Sequence, residues 1–338
     1  MMGKLILSDG TVESLTDPSY FGQILVLTYP LQGNYGVPER KFWESDKIQV
    51  KGLIVQNYID NPSHFESKKT LGGWLKEEGI PALSGIDTRQ LTIKLREHGV
   101  MLGRIELSSK NKQSLQSSDF KELSIYDPNT ENLLPYVSCK EIKVYGTGPS
   151  TSLRINKKKN IVLIDCGAKE NIVGSLVRRG VKVTCVPWDF DPATAGFDGV
   201  LISNGPGDPK KADKTIANVR KLLEKNIPTF GICLGSQILA LAAGGETYKL
   251  KFGHRGQNQP VMDKTSGRAI ITSQNHGFAV DMKSLSKDWE EWFVNLNDGT
   301  NEGIRHKSKP FMAMQFHPEA SPGPVDAGYL FDKFLSQI

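Results

Sequence analysis

Short apolar runs alternate with amphipathic stretches through the second half of the 338-residue chain. Four runs have the length and apolar content of buried strands: 161–164, 181–186, 199–202 and 228–232. Between and after them the pattern predicts helices at 169–179, 212–225 and 234–243. Strands that alternate with helices predict a mostly parallel sheet covered on both faces. Such sheets bind ligands at the carboxyl ends of their strands.

The first 145 residues mix strand-like runs with helices, which predicts a smaller α/β domain. Ile24–Leu27 and Gly52–Val55 have the apolar character of buried strands. Asp87 can cap a helix from Thr88 to His98, and Gly99 can end it.

Residues 146–159 are rich in Gly, Ser, Thr and Lys, a composition typical of linkers. A chain of this length favours two domains. The predicted division is therefore a first domain at 1–150 and a second domain at 151–338.

Composition narrows the class of protein. Hydrophobic residues make up 38% and charged residues 23% of the chain, as in ordinary folded proteins and unlike disordered ones. The net charge of +5 is spread evenly, which argues against a nucleic-acid-binding arm. No apolar run is long enough for a membrane helix, and the N-terminal one is too short for a secretory signal. Four cysteines without a C-x-x-C pair argue against a disulfide framework and favour a reducing compartment, the cytoplasm.

A candidate nucleophile lies in the turn Gly231-Ile-Cys-Leu-Gly235, which joins a predicted strand directly to a helix. This is the G-x-nucleophile-x-G form of a nucleophile elbow, with Cys233 as the nucleophile. The following helix N-terminus favours the thiolate, and the amide of Leu234 can face a developing oxyanion.

The other cysteines are weaker candidates. The pentapeptide alone leaves a second interpretation of Cys233 open, namely a buried structural cysteine at a tight turn. Cys166 also follows a strand but lacks the glycine pattern, and Cys139 and Cys185 are expected to be structural.

A thiolate needs a base and later a proton donor for the leaving amine. His317 ends a strand, and Glu319 follows two residues later, so both side chains can point to the same face of an extended chain. Pro318 between them favours the extended conformation. The spacing alone favours an ordinary strand-end histidine, and His276 is a competing base. No pair has H-E-x-x-H spacing, so a metal site is not expected. The loop Asn204–Pro209 could supply a second oxyanion donor or be an ordinary turn.

Taken in order, these segments closely resemble class I (triad-type) glutamine amidotransferases. The motifs are Asn-Gly-Pro-Gly-Asp-Pro at 204–209, Phe-Gly-Ile-Cys-Leu-Gly-x-Gln at 230–237, Gln-Asn-His-Gly-Phe at 274–278 and Phe-His-Pro-Glu at 316–319. Further segments resemble the small subunit of carbamoyl-phosphate synthetase: Leu-Thr-Asp-Pro-Ser-Tyr at 15–20, Gly-Asn-Tyr-Gly at 33–36, Gly-Ile-Asp-Thr-Arg at 85–89 and His-Pro-Glu-Ala-Ser-Pro-Gly-Pro at 317–324. The resemblance covers nearly the whole chain.

The resemblance implies a role for each matching position. Cys233 would attack the amide carbon of L-glutamine, His317 would activate it and protonate ammonia, and Glu319 would hold His317. Backbone amides of Gly205 and Leu234 would form the oxyanion hole. The family's remaining glutamine-binding positions match Ser19, Gly207, Gln237, Asn275, Gly277 and Phe278.

The resemblance also implies a partner. Ammonia would pass to a carbamoyl-phosphate synthetase large subunit or domain, which would combine it with bicarbonate and ATP. No cofactor is expected in this chain, and ATP and magnesium would belong to the partner. The product could serve pyrimidine or arginine biosynthesis.

Two positions depart from the family pattern. Ser236 stands where relatives often have histidine, and Glu13 runs almost directly into Leu15–Ser19 where relatives carry an additional segment. The second departure affects the expected placement of Ser19. It also leaves a non-catalytic structural subunit of the synthetase as the alternative to a glutaminase. An amidotransferase for another acceptor is a further possibility, against which the first domain argues.

Overall fold

A computed structural model describes residues 2–8, 12–105, 126–146, 159–194 and 196–338. The chain divides into two compact units. The first contains Met1–Thr16, Tyr20–Phe42 and Lys47–Thr130, and the second contains Asp17–Ser19, Trp43–Asp46 and Glu131–Ile338. The predicted boundary at 150/151 lies outside the described residues and stays a prediction.

The first unit is an α/β structure. Its strands are β1 (Met2–Ser8), β2 (Gln23–Leu27), β3 (Leu31–Gln32), β4 (Gly52–Ile54), β5 (Asn57–Tyr58), β6 (Ala82–Leu83) and β7 (Leu102–Arg104). Its helices are α1 (Val12–Thr16), α2 (Leu71–Glu77) and α3 (Thr88–His98). Five strands form one sheet in the order β6-β4-β2-β1-β7, parallel except for β7. Asp87 caps α3 as predicted, since its Oδ1 accepts from the amide of Gln90 at 2.9 Å.

The second unit carries the larger sheet. Its strands are β8 (Lys143–Tyr145), β9 (Asn160–Asp165), β10 (Lys182–Pro187), β11 (Gly199–Ile202), β12 (Thr229–Ile232), β13 (Glu246–Asp263), β14 (Arg268–Asp281), β15 (Trp289–Asn295), β16 (Asn301–His306) and β17 (Phe311–Met314). Its helices are α4 (Leu134–Val137), α5 (Glu170–Arg178), α6 (Asp213–Glu224), α7 (Leu234–Ala242) and α8 (Tyr329–Leu335). The predicted strands and helices of this half match β9–β12 and α5–α7 to within one residue at each end.

The ten strands lie in the order β14-β13-β15-β16-β17-β12-β11-β9-β10-β8. The five central strands, from β17 to β10, are all parallel, which confirms the predicted core of the sheet. Antiparallel strands extend it on both sides: β8 pairs with β10, and β13–β16 continue from β17. This extension brings β14 into the same sheet as β12 and β17.

Both faces of the central sheet are covered by helices. Ile161 and Leu163 of β9 belong to the core on one face, where Phe331 of α8 packs edge-on against Phe230. Val162 and Ile164 belong to the other core, under α6 and α7. Each such fully buried side chain contributes about 1.5–3 kcal/mol through removal of apolar surface from water. Among the described residues no helix is both long and apolar enough to cross a bilayer.

Candidate active site

Cys233 occupies a strained turn between β12 and α7. Its backbone has φ 53° and ψ −106°, a conformation that non-glycine residues seldom adopt, and the residue forms the N-cap of α7. Two glycines make the turn possible. A Cβ on Gly231 would lie 2.5 Å from the carbonyl oxygen of Gly235, and one on Gly235 would lie 2.2 Å from that of Ile202. The sequence pattern therefore produces the predicted elbow.

The Cys233 sulfur is buried among polar groups. Its Sγ lies 3.8 Å from the carbonyl oxygen of Asn275, to which the thiol can donate. The side-chain amide of Gln315 donates toward the same sulfur at 3.7 Å. Gln237 donates in turn to Gln315 Oε1 at 3.0 Å and to the carbonyl of Phe278 at 2.9 Å. These bonds tie α7, β14 and the end of β17 together around the thiol.

His317 and Glu319 meet in the buried segment that follows β17. Nδ1 of His317 and Oε1 of Glu319 are 2.6 Å apart, and both side chains are almost fully buried. Burial lowers the pKa of His317, but the charges of Glu319 and Cys233 outweigh it and raise that pKa to about 10. Nε2 makes no hydrogen bond of ordinary geometry with the described protein atoms, although the Cys233 thiol is close enough to the ring to interact with it. One ring nitrogen, Nδ1, is thus held by the Glu319 carboxylate, while the ring also interacts with the Cys233 sulfur.

A buried lysine supports the carboxylate. Lys169 Nζ lies 3.1 Å from Glu319 Oε1, and the exposed fractions of the two side chains are 3% and 0%. Burial raises the pKa of Glu319, but Lys169 first and His317 second outweigh it and hold that pKa at about 2. Burial likewise lowers the pKa of Lys169, yet Glu319, Glu44 and Asp17 raise it above its usual value. The site contains a compact network of opposite charges rather than one isolated ion pair.

The glycine loop after β11 lies close to the elbow. A Cβ on Gly205 would lie 2.0 Å from the carbonyl oxygen of Cys166 and 2.9 Å from Leu234 Cδ2, so any side chain there is excluded. Gly207 has φ 93°, the left-handed region that favours glycine. The side-chain amide of Asn204 donates to Ser19 Oγ at 2.8 Å. Gly205, Leu234 and Ser19 therefore belong to one neighbourhood of the second unit.

The remaining predicted glutamine-binding residues, Asn275, Gly277 and Phe278, lie on β14. His276 alternates with them and is buried, and its Nδ1 donates to the carbonyl of Phe278 at 2.8 Å. Its pKa is lowered, first by burial, so the ring is neutral. Both ring nitrogens of His276 already have partners, Nδ1 on its own strand and Nε2 at His254 and Gln274, which favours His317 as the base for Cys233.

A second network, formed by His254, Glu302 and Asp298, contacts the His276 ring. His254 Nδ1 lies 2.9 Å from Glu302 Oε1 and 3.2 Å from His276 Nε2, while its Nε2 contacts Asp298 at 2.8 Å. Burial lowers the pKa of His254, but Glu302 and Asp298 outweigh it and raise that pKa, so a charged His254 sits between two carboxylates. This network fixes the part of β14 that carries Asn275 and Phe278.

Cys166 is the weaker nucleophile candidate. It is fully buried, and burial followed by the charge of Asp165 raises the pKa of its thiol well above the usual value. Its amide donates to Ser203 Oγ at 2.9 Å within the strand-end packing. A thiol held neutral and covered is structural.

Several residues of the site were not predicted from the sequence: Lys169, Gln315, His254 and Glu302. Lys169 follows Gly167-Ala168 at a strand end, which is a weak signal for a ligand-facing position. Gln315 lies two residues before His317 in an extended segment and so shares its face, a spacing that could have identified it.

Comparison with known proteins places these features in a family. Residues 162–337 match the family described as "Glutamine amidotransferase class-I". Residues 6–105 match "Carbamoyl-phosphate synthase small chain, CPSase domain". The chain belongs to the class I glutamine amidotransferase family. Within that family, the chain combines the amidotransferase region with a region similar to the carbamoyl-phosphate synthase small chain.

Full-length relatives are longer. The chain is 48% identical over 99% of its length to multifunctional protein ura1 of Schizosaccharomyces pombe, of which it spans 16%. It is 47% identical over 97% of its length to the mouse protein named carbamoyl-phosphate synthase [ammonia], mitochondrial, of which it spans 21%. A solved glutamine amidotransferase structure from Thermotoga maritima matches 54% of this chain and 87% of its own at 18% identity and a TM-score of 0.39. The chain thus spans about a fifth or less of the curated relatives.

The alignment with the Schizosaccharomyces pombe protein covers 362 positions, more than the 338 residues of this chain. Within the aligned region that relative therefore carries residues which this chain lacks.

Proposed function

We propose that this chain hydrolyses L-glutamine and supplies the ammonia to a carbamoyl-phosphate synthetase subunit or domain. The observation that carries the proposal is the convergence of Cys233, His317, Glu319 and Lys169 in one buried cluster at the carboxyl end of the central sheet. A structural subunit has no need of a strained cysteine beside a carboxylate-paired imidazole, because both features cost folding free energy.

The geometry supports a thioester mechanism. The thiolate of Cys233 attacks the amide carbon of glutamine, and the amides of Leu234 and Gly205 stabilise the oxyanion. His317, protonated at Nε2, donates its proton to the departing nitrogen, so ammonia leaves and a γ-glutamyl thioester remains. Neutral His317 then takes a proton from water, which attacks the thioester and releases glutamate. Glu319 fixes the ring through Nδ1 and stabilises the cation.

The raised pKa of His317 predicts the pH dependence of this reaction. A group whose pKa is raised on folding keeps its proton below the folded value and loses it as pH rises through that value. With a pKa of about 10 in the free chain, the imidazolium persists at neutral pH, so kcat/KM should decline on the alkaline side with a midpoint near 10. Glutamate release measured from pH 7 to 11 checks this, and a decline already centred near 6.5–7 would contradict it.

The partner and its cofactors follow from the chemistry. Carbamoyl phosphate needs bicarbonate and ATP, and ATP with magnesium would bind on the synthetase partner rather than on this chain. The names of the relatives, which include multifunctional proteins and carbamoyl-phosphate synthases, support a synthetase region that is fused or associated. The four free cysteines support a reducing compartment, and we assign the reaction to the cytoplasm.

A non-catalytic structural subunit is the second candidate function. The mouse relative is named for ammonia rather than glutamine, which shows that similar chains occur in proteins whose name specifies another nitrogen donor. The presence of Cys233 here favours the glutaminase. A different acceptor, such as chorismate or a nucleotide, is disfavoured by the match of residues 6–105.

The two candidates differ in one measurement. The chain, combined with its synthetase partner, is incubated with glutamine that carries a radioactive label in its carbon skeleton and is then quenched in acid. A glutaminase releases labelled glutamate and leaves acid-stable label on Cys233 as the thioester. A structural subunit releases no glutamate and retains no label, and that result would reject the proposed activity.

A further inference from the structure

A pair of thiols lies in the second unit, away from the elbow. The sulfurs of Cys139 and Cys185 are 3.9 Å apart, in direct contact. Cys185 is buried within β10, whereas Cys139 is half-buried in the loop between α4 and β8. The residue that pairs with Cys185 across the strands is Lys143 of β8, so both thiols lie close to the edge of the sheet.

We propose that Cys139 and Cys185 form a reversible disulfide under oxidising conditions, with a peroxide as the oxidant. Of the four cysteines of the chain, all within the described residues, these two make the only sulfur–sulfur contact. Their sulfurs must approach by about 2 Å to reach bonding distance. The loop position of Cys139 allows this movement, because loops shift more readily than paired strands.

The two thiols are not equivalent. Cys139 is reachable from solvent, whereas Cys185 is covered. The hydrogen bond with Cys139 and, second, burial raise the pKa of the Cys185 thiol. Lys143, whose charge acts in the opposite direction on Cys185, adds positive charge beside the pair. Cys139 is therefore the thiol that reacts first.

The chemistry balances with hydrogen peroxide. The Cys139 thiolate attacks one peroxide oxygen, which breaks the O–O bond, forms a sulfenic acid and releases hydroxide that is protonated to water. The Cys185 sulfur, on losing its proton, then attacks Cys139 Sγ, forms the S–S bond and displaces a second hydroxide that takes up the proton. Two electrons pass from the two thiols to the peroxide, and a small dithiol reverses the reaction.

The location gives the modification a structural consequence. The backbone amide of Cys139 donates to Asp165 Oδ2 at 2.7 Å. Oδ1 of the same carboxylate accepts from the amides of Gly167 and Ala168 at 2.9 and 2.7 Å, and so shapes the turn that precedes Lys169. Movement of Cys139 is thus transmitted to the turn from which Lys169 reaches Glu319.

The test uses the full chain with Cys233→Ala, which removes the thiol of the proposed active site. A chelator is added first, since ligand atoms of Cys139, Asp165 and Cys185 lie close enough to hold a metal ion. After hydrogen peroxide treatment and proteolysis under non-reducing conditions, mass spectrometry should find a peptide joining Cys139 to Cys185. The peptide should be about 2 mass units lighter than the sum of its reduced parts and should disappear on dithiol treatment.

Two control variants sharpen the result. Cys139→Ser and Cys185→Ser should each abolish the cross-linked peptide, whereas Cys166→Ser should leave it unchanged because Cys166 contacts no other sulfur. Sulfinic or sulfonic acid at Cys139 without the linked peptide, or linkage of Cys139 to Cys166 instead, would overturn the proposal. Far-UV circular dichroism verifies that each variant folds.

Discussion

Replacement of Cys233 by alanine should lower glutamine-dependent carbamoyl phosphate synthesis by about 10³-fold or more, because no other atom of the site can form the thioester. Alanine keeps the Cβ and tolerates the turn as cysteine does. The contacts of the lost sulfur with Asn275 and Gln315 are long, at 3.8 and 3.7 Å, so the fold should persist. Ammonia-dependent synthesis by the complex should remain, since it needs no glutaminase. Initial rates with glutamine and with ammonium chloride measure both.

Cys166→Ala is the matched control. It also removes a buried sulfur next to the glycine loop, yet it leaves the elbow intact. We expect glutamine-dependent synthesis within a few-fold of the unsubstituted chain. Glutamine use that survives in Cys233→Ala, or is lost only in Cys166→Ala, would transfer the nucleophilic role to the other cysteine.

Replacement of Lys169 by methionine should cause the second large loss. The substitution preserves the length of the side chain but leaves the buried Glu319 and Glu44 without their cation. Removing one partner of a buried ion pair destabilises a protein by about 3–5 kcal/mol. The pKa of Glu319 should rise from about 2, because Lys169 is the main group that lowers it. A Glu319 that has lost Lys169 orients and stabilises the His317 cation less well, so kcat should fall by about 10²-fold.

The sign of the pH effect separates this interpretation from simple unfolding. A carboxyl whose pKa is lowered on folding stabilises the protein above its unfolded pKa, and that stability is lost as pH falls toward the folded value. In Lys169→Met the difference between the two values shrinks, so the acid-dependent part of the unfolding free energy contributed by Glu319 should shrink as well. Urea unfolding between pH 3 and 8 measures it. Unchanged acid dependence together with normal kcat would contradict the role of Lys169.

Lys214→Met provides the comparison for surface charge. Lys214 pairs with Asp189 at 3.3 Å, but the two side chains are 67% and 40% exposed. Such exposed pairs contribute about 0–1 kcal/mol. Both stability and kcat should therefore stay close to those of the unsubstituted chain.

The sequence predicted the centre of the second unit well because parallel strands buried on both faces leave continuous apolar runs. Val200 and Ile202 of β11 illustrate this, being almost completely buried. The long hairpin of β13 and β14 gave no such signal. Its residues alternate irregularly between buried and exposed positions, and the register shifts between Lys249 and His254 and again after Gly256. Periodicity arguments fail where bulges move side chains from one face to the other.

The residues of the site likewise differ in whether the sequence alone could predict them. The elbow around Cys233 and the His317–Glu319 pair are local features, so their spacing along the chain contains the information. Lys169 could not be inferred in this way, because a lysine at a helix start is usually solvated. Its burial depends on Glu319 and Glu44, which are distant in sequence. Cys139 lies in the second compact unit beside Cys185, a contact that the spacing of the cysteines along the chain does not indicate.

The second unit is made of three separate stretches of the chain, and this limits where the chain can be divided. Residues 17–19 and 43–46 cluster with the second unit although the segments around them belong to the first. Glu44 accepts from the amides of Glu170 and Asn171, and it faces Lys169. A fragment that starts after Thr130 would therefore lack Ser19 and one of the carboxylates that offset the buried lysine. A gene split at that point would therefore separate residues 17–19 and 43–46 from the rest of the second unit.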